Sequence, residues 1–295
     1  DVCSSDLGDV FRLIEVNTRF PRLVMGDLEA QVAGCLMGRN QVGEVIDKYG
    51  LAAVRAAIGE FWTRSETAMR RAIRAIPDGT YRASAFLDDD GIEGKQIAID
   101  VTVSIDDDRL TVDLSGLADQ VKGPLNAGYE GGAVAAARIA CKYLFAPHKP
   151  ANWGSFLPID VVCPPGKILS ALPTAPLAGS GVTIPTVVDT ILRAMAQALP
   201  QRVPAAHHGT YALHAFFGRA GNGEWFRSSG STVGGWGASR GRDGPGPFRS
   251  MAHGDTLEVP VEMQEAGYPF QVEKFGLRAD SGGAGRQRGG LGIDR

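Results

Sequence analysis

IAIDVTVSIDDDRLTVDL, residues Ile97–Leu114, alternates apolar and polar side chains with a period of two: Ile97, Ile99, Val101, Val103 and Ile105, then Leu110, Val112 and Leu114. In a strand that spacing puts every apolar residue on one face, so the stretch is read as two half-buried strands. The acidic run Asp106–Asp108 between them is a turn. A further strand begins at Thr80 and ends at a second turn, Asp88–Gly91. Thr80–Ser115 is therefore expected to be a three-stranded antiparallel meander.

Upstream of the meander the period becomes helical. Leu28, Val32, Cys35 and Leu36 share one face, as do Val42, Val45, Ile46 and Tyr49, and then Val54, Ile58, Phe61, Ser65, Ala68 and Ala72. Gly26-Asp27 is read as an N-cap, Gly50 as a stop, and Pro77-Asp78-Gly79 as the turn that ends the helices. Downstream, Gly116–Pro200 carries the loop Gly123–Asn126 and an Ala-rich helix near Ala133–Leu144. It closes with an amphipathic helix bearing Val188, Ile191, Leu192, Met195 and Leu199. From Gln201 onward short strands alternate with loops that hold about half of the 39 glycines, so backbone φ values are expected to specify this part. The fold class is α+β: an N-terminal helical segment, an antiparallel meander, a mixed α/β middle and a Gly-rich, β-rich C-terminal part. Residues 8–200 are taken as the central region of one domain and 201–295 as its Gly-rich region.

With 295 residues, 44% of them hydrophobic, the chain can bury a substantial core. No run approaches the ~18 apolar residues of a membrane span, and the start lacks a secretory pattern, so a cytoplasmic location and no membrane partner are expected. A formal charge of −3 argues against nucleic acid as a partner. The scattered cysteines Cys3, Cys35, Cys141 and Cys163 form no C-x-x-C pair and are read as buried free thiols. Residues 1–7, DVCSSDL, fit no later pattern and are read as non-native sequence. The chain is expected to be truncated at both ends.

Several chemistries fail on spacing. An EF-hand with Gly91 sixth would put Phe86 first and Ile97 twelfth, where carboxylates belong. Gly166-Lys167 is followed by Ile168 and has Val161 where a Walker loop needs glycine, and Gly283-Ala284-Gly285 leads to Arg288 instead of the third glycine of a dinucleotide fingerprint. Neither G-x-S-x-G nor H-E-x-x-H occurs. His207 and His208 would point to opposite faces of an extended chain, which argues against a shared metal.

Three places keep a positive signal. Asp27 and Gln31 stand one helical turn apart, with Asn17 and Arg19 on the segment leading in, and this set of polar groups suits orienting a polar substrate; the alternative is a solvated helix start. Gly234 and Gly235, in GGWGA, offer main-chain N–H groups to an anion or oxyanion, against the alternative of tight hairpins. Arg286 and Arg288 stand in the loop Asp280–Gly292, where they suit a phosphate or carboxylate, or are merely solvated.

The order of the motifs adds more. NTRFPRLVMGDLEAQVAG (Asn17–Gly34), IPDGTYRASAFLDDDG (Ile76–Gly91), VDLSGLADQVKGPLNAG (Val112–Gly128), the stretch from Asn152-Trp153-Gly154 to Pro165-Gly166, GGWGASRGRDG (Gly234–Gly244), VPVEMQE (Val259–Glu265) and DSGGAGRQRGGLG (Asp280–Gly292) together resemble the hydantoinase B family. That family includes B subunits of N-methylhydantoinase and caprolactamase, the C-terminal half of 5-oxoprolinase and one chain of acetone carboxylase. The resemblance implies a B subunit of an ATP-dependent cyclic amide or imide hydrolase, working with a hydantoinase A-type subunit that binds ATP and phosphorylates the substrate carbonyl. It also implies a divalent metal whose ligands lie upstream of this chain, so no metal ligand is assigned here and the fragment alone is expected to be inactive. Alternatives are a subunit of an acetone carboxylase-like ligase and a noncatalytic scaffold for the A subunit. Two departures from the family pattern bear on substrate subclass: Trp153 replaces an acidic residue, and Ser228–Ser231 replaces a stretch that commonly holds Glu.

Overall fold

The computed structural model describes residues 4–254 and 256–295. It falls into two compact units that divide between Thr63 and Arg64. Of the stretch read as non-native, residues 1–3 lie outside the described residues, as does Cys3, and Ser4 begins the first helix.

The first unit is helical, with α1 (Ser4–Asn17), α2 (Pro21–Tyr49) and the start of α3 (Leu51–Arg74). Gly26-Asp27 does not cap α2. The helix starts earlier, with Pro21 at its first turn, where a missing N–H costs nothing. Gly50 does end it, with φ of 80° and its N–H donated to the Ile46 carbonyl. The periodicity identifies the helices, yet the faces it marks are not covered: α2 buries none of its residues, and Val32, Leu36, Val42, Val45, Tyr49, Ile58 and Phe61 are exposed. Cys35 is exposed as well, against the expectation of a buried thiol. A 3.6-residue repeat fixes which face wants an apolar neighbour, not whether the chain supplies one.

The second unit is built on a sheet of order β1-β2-β3-β4, comprising Gly79–Leu87, Ile97–Asp106, Arg109–Asp113 and Ile159–Val162. The first three strands form the expected meander, with Val103 opposite Val112 and Ile105 opposite Leu110. β4 adds a parallel partner to β3 that local sequence does not announce. Ile97, Ile99, Val101, Val103 and Ile105 are all buried, each worth about 1.5–3 kcal/mol relative to exposure. They face α5 (Ser180–Met195), which packs on α4 (Ala135–Phe145), itself entered through a π-helical turn, Glu130–Val134. Leu199 lies just past the end of α5, its N–H donated to the Met195 carbonyl.

Both acidic runs are turns with specific partners. Asp107 takes a positive φ of 50° and pairs with Arg74, while Asp108 pairs with Arg70 and Arg74 at 2.8 Å each, so the end of α3 clamps the β2–β3 turn. Asp90 is buried and accepts N–H groups from Ile92, Glu93 and Gly123 at 3.0, 2.7 and 2.9 Å. Those bonds to its charged form lower its carboxyl to about 2. Beside it, fully buried Asn126 accepts the Val121 N–H and donates to the carbonyls of Val121, Gly123 and Pro176.

Beyond α5 come the hairpin β5–β6 (Leu213–Arg219, Trp225–Ser231), the short helix α6 (Val261–Gly267) and the two-residue pair β7–β8 (Gly276–Leu277, Ile293–Asp294). Between them, special φ values are not the main demand on glycine. Five of the glycines after Gln201 have positive φ. At nine, a Cβ would come within 3.0 Å of another atom, at seven of them a main-chain atom, so close approach of backbone to backbone is the commoner reason.

Candidate functional site

Two glycine loops meet face to face. A Cβ on Gly235 would lie 1.9 Å from the Gly290 carbonyl oxygen, and one on Gly290 2.1 Å from that of Pro245. Contact this close is sealed by main-chain bonds: Gly290 N–H to Trp236 at 2.9 Å, Trp236 N–H to Pro245 at 3.0 Å, and Gly244 N–H to Arg288 at 2.7 Å. The Asp243 carboxylate accepts the Arg288 N–H at 2.8 Å. Two sequence signals separated by about forty residues thus form one structure, and a pocket of about 370 Å³ opens between them. Gly234, Gly235, Trp236, Gln287, Gly290 and the His207–His208 pair are among its walls.

His207 is locked from both sides. Its Nδ1 lies 2.7 Å from Asp189 Oδ2 on α5 and its Nε2 3.1 Å from Ser250 Oγ. With Asp189 ionised, Nδ1–H donates to the carboxylate and Nε2 accepts the Ser250 hydroxyl proton. The order is that of an Asp-His-Ser relay. Ser250, however, is only 2% exposed and does not wall the pocket, so its oxygen cannot reach a substrate carbonyl. The chain instead holds the His207 ring in place. His208 turns beside it, ring centres 5.0 Å apart, so the two imidazoles do not take opposite faces: the backbone here is a loop, not a strand. Among the described residues neither His208 ring nitrogen has a hydrogen-bond partner, and burial, with His207 next, lowers its pKa, so the ring stays neutral at pH 7.

Sequence reasoning missed Asp189 and Ser250 and set the pair His207 and His208 aside. One signal was present: Asp189 interrupts the apolar run TVVDTIL, Thr186–Leu192, and a lone carboxylate on a buried helix face needs a partner. Among the remaining candidates, Arg286 and Arg288 are exposed and do not wall the pocket, whereas Gln287 between them does. Asn17, Arg19, Asp27 and Gln31 belong to the first unit, all exposed. Asn17 donates to the Leu13 carbonyl at 2.7 Å, satisfying the end of α1, and among the described residues no hydrogen bond joins these four to one another. No group of three or more His, Cys, Asp or Glu residues capable of holding a metal occurs among the described residues. His207 has both nitrogens engaged, so the residues present do not fit a metal centre.

Fold and pocket define an α+β chain with a pocket walled chiefly by main chain, where His207 is held on both ring nitrogens and His208 lies beside it. The chain belongs to the Hydantoinase B/oxoprolinase family, whose model matches residues 5–295. It is 34% identical over 97% of its length to a Pseudomonas sp. (strain NS671) protein described as the B-type subunit of a D-/L-hydantoinase, covering 50% of that protein. It is 31% identical to the beta chain of the Pseudomonas jessenii caprolactamase, with 96% of this chain and 50% of that one covered. The crystal structure of the ATP-dependent caprolactamase from Pseudomonas jessenii matches 97% of this chain and 50% of that chain at a TM-score of 0.88 and 28% identity. Nucleotide-free acetone carboxylase shares the fold, at a TM-score of 0.86 and 19% identity over 97% of this chain and 40% of that one. The chain spans about half the length of the curated B-type relatives it matches. Among the described residues no helix is long and apolar enough to cross a membrane.

Proposed function

We propose that this chain is part of the B subunit of a cytoplasmic, ATP-dependent hydrolase of cyclic amides or imides, acting on a carbonyl that a hydantoinase A-type partner phosphorylates. The observation that carries the reading is the match along 97% of the chain to an ATP-dependent caprolactamase. The chemistry is coherent with a chain that has no Walker or dinucleotide loop. An unstrained lactam carbonyl is a poor electrophile, and a phosphorylated oxygen is both a leaving group and an electron sink, so nucleotide chemistry belongs to the partner. In this reading the main-chain N–H groups of Gly234 and Gly235 form the anion-binding side of the pocket. Neutral His208 then accepts a proton or a hydrogen bond from the bound amide. The divalent metal that the resemblance implies is assigned to no residue here and no step passes through it.

The test is ring opening by the complete protein expressed with its A-type partner, on hydantoin, 5-oxoproline and caprolactam, with and without ATP. ATP-dependent turnover of at least one supports the reading. Absence of turnover on all three, or turnover of a ketone that requires bicarbonate, overturns it. His208→Gln is expected to lower kcat by about 10²-fold or more if the imidazole moves a proton.

A further inference from the structure

On the side of α4 away from the core, a second pocket of about 560 Å³ holds an arginine in an uncommon setting. Ala136, Ala137, Ala140, Cys141 and Leu144 bury one face of the helix, which leaves Arg138 and Lys142, one turn apart, on the pocket side. The guanidinium carbon of Arg138 stands 5.1 Å from the ring centre of Trp153 and 5.1 Å from that of Phe156. Those two residues open and close a 3-10 turn, Trp153–Phe156, whose threefold repeat stacks positions i and i+3 on one side. Two rings thus contact one guanidinium.

Stacking uses the faces of the guanidinium and leaves its N–H donors in the plane. Among the described residues no carboxylate lies within ion-pair distance of Arg138 and no hydrogen bond engages it, in contrast to Arg70, Arg74 and Arg109, each of which is paired. Lys142 is half-buried and donates to the main-chain carbonyls of Ala146 and Lys149, again without a carboxylate. Glu130 is the one acid on the wall, while Ile139, Pro147 and Met251 supply an apolar side.

From this geometry we infer that the pocket binds a small organic oxyanion, a carboxylate or phosphate carried on a short apolar body. A guanidinium fixed edge-on presents two parallel N–H groups to a pair of oxygens, the geometry both anions share, and Lys142 adds positive potential without competing for position. The inference is independent of the proposed lactam chemistry.

Trp153 makes binding visible. The complete chain is titrated with sodium pentanoate and with pentyl phosphate, at matched ionic strength, while tryptophan emission is followed; pentan-1-ol serves as the uncharged probe. Saturable change with one of the anions, half-complete at about 1 mM or below, and none with the alcohol, is expected; the stronger anion identifies the ligand class. Arg138→Gln should weaken binding at least tenfold by calorimetry while melting close to wild type, because no hydrogen bond is lost. Should that variant unfold, Trp153→Leu keeps the charge and releases the clamp, and is expected to weaken binding as well. Equal response to alcohol and anion, no saturation with either anion, or wild-type affinity in the folded variants would overturn the proposal.

Discussion

Gly235→Ala tests whether close backbone approach, not conformational freedom, is what the C-terminal glycines supply. The added methyl would sit 1.9 Å from the Gly290 carbonyl oxygen and 2.5 Å from its carbon. Neither is the end of a flexible side chain, so the loops must part by roughly 1 Å, which close-packed interiors resist. Over-packing of this kind costs about 1–3 kcal/mol. Parting also strains two main-chain bonds between the loops, Gly290 to Trp236 and Gly244 to Arg288, each contributing about 0.5–1.5 kcal/mol. With partial relaxation the total is about 2–4 kcal/mol, or a fall in Tm of roughly 4–12 °C for a chain of this size. Gly283→Ala is the matched control: it stands in the facing loop, with no atom within 4 Å of the new methyl and no positive φ, so it should leave Tm unchanged or raise it slightly through reduced unfolded-state entropy. Differential scanning fluorimetry gives Tm, and limited trypsin digestion at Arg286 and Arg288 reports loop opening, faster only in Gly235→Ala. Equal melting and equal digestion of the two variants would refute the reasoning.

Other outcomes follow from single residues. Asn126→Ala removes four hydrogen bonds from a fully buried site and should cost about 2–5 kcal/mol in urea unfolding, whereas Asn222→Ala, exposed and bonded only to Glu224, should stay within about 0.5 kcal/mol. The Asp90 carboxyl is lowered to about 2 from an ordinary 3.8, so its contribution is complete above the ordinary value and is lost as pH falls through about 2. Asp90→Asn should be less stable at pH 7 and show a flatter decline between pH 4 and pH 2 in equilibrium unfolding. Burial pushes the Cys141 thiol up to about 12 and raises that of Cys163. Iodoacetamide at pH 8 followed by mass spectrometry should therefore label exposed Cys35 and spare both until the chain is denatured. Labelling of native Cys141 as fast as Cys35 contradicts the packing.

Local and periodic features were legible without coordinates: the meander from the twofold alternation of Ile97–Leu114, the helices from their 3.6-residue repeat, the stop at Gly50, and the family from motifs in order along the chain. Such signals can be read because each is written within one element. Whatever needs elements far apart in the chain emerged only on folding. The parallel strand β4 joins β3 across about fifty residues, and Asp189, His207 and Ser250 come together from a helix and two loops. Trp153 and Phe156 close on an arginine of the preceding helix. The periodicity of α2 marked a face to be covered and could not say that it is left open. Composition likewise flagged the glycines of Gly234–Gly244 and Asp280–Gly292 without giving the reason for them. That reason is the absence of a Cβ where backbones touch, and at Gly235 and Gly290 it belongs to the pair of loops and to neither alone.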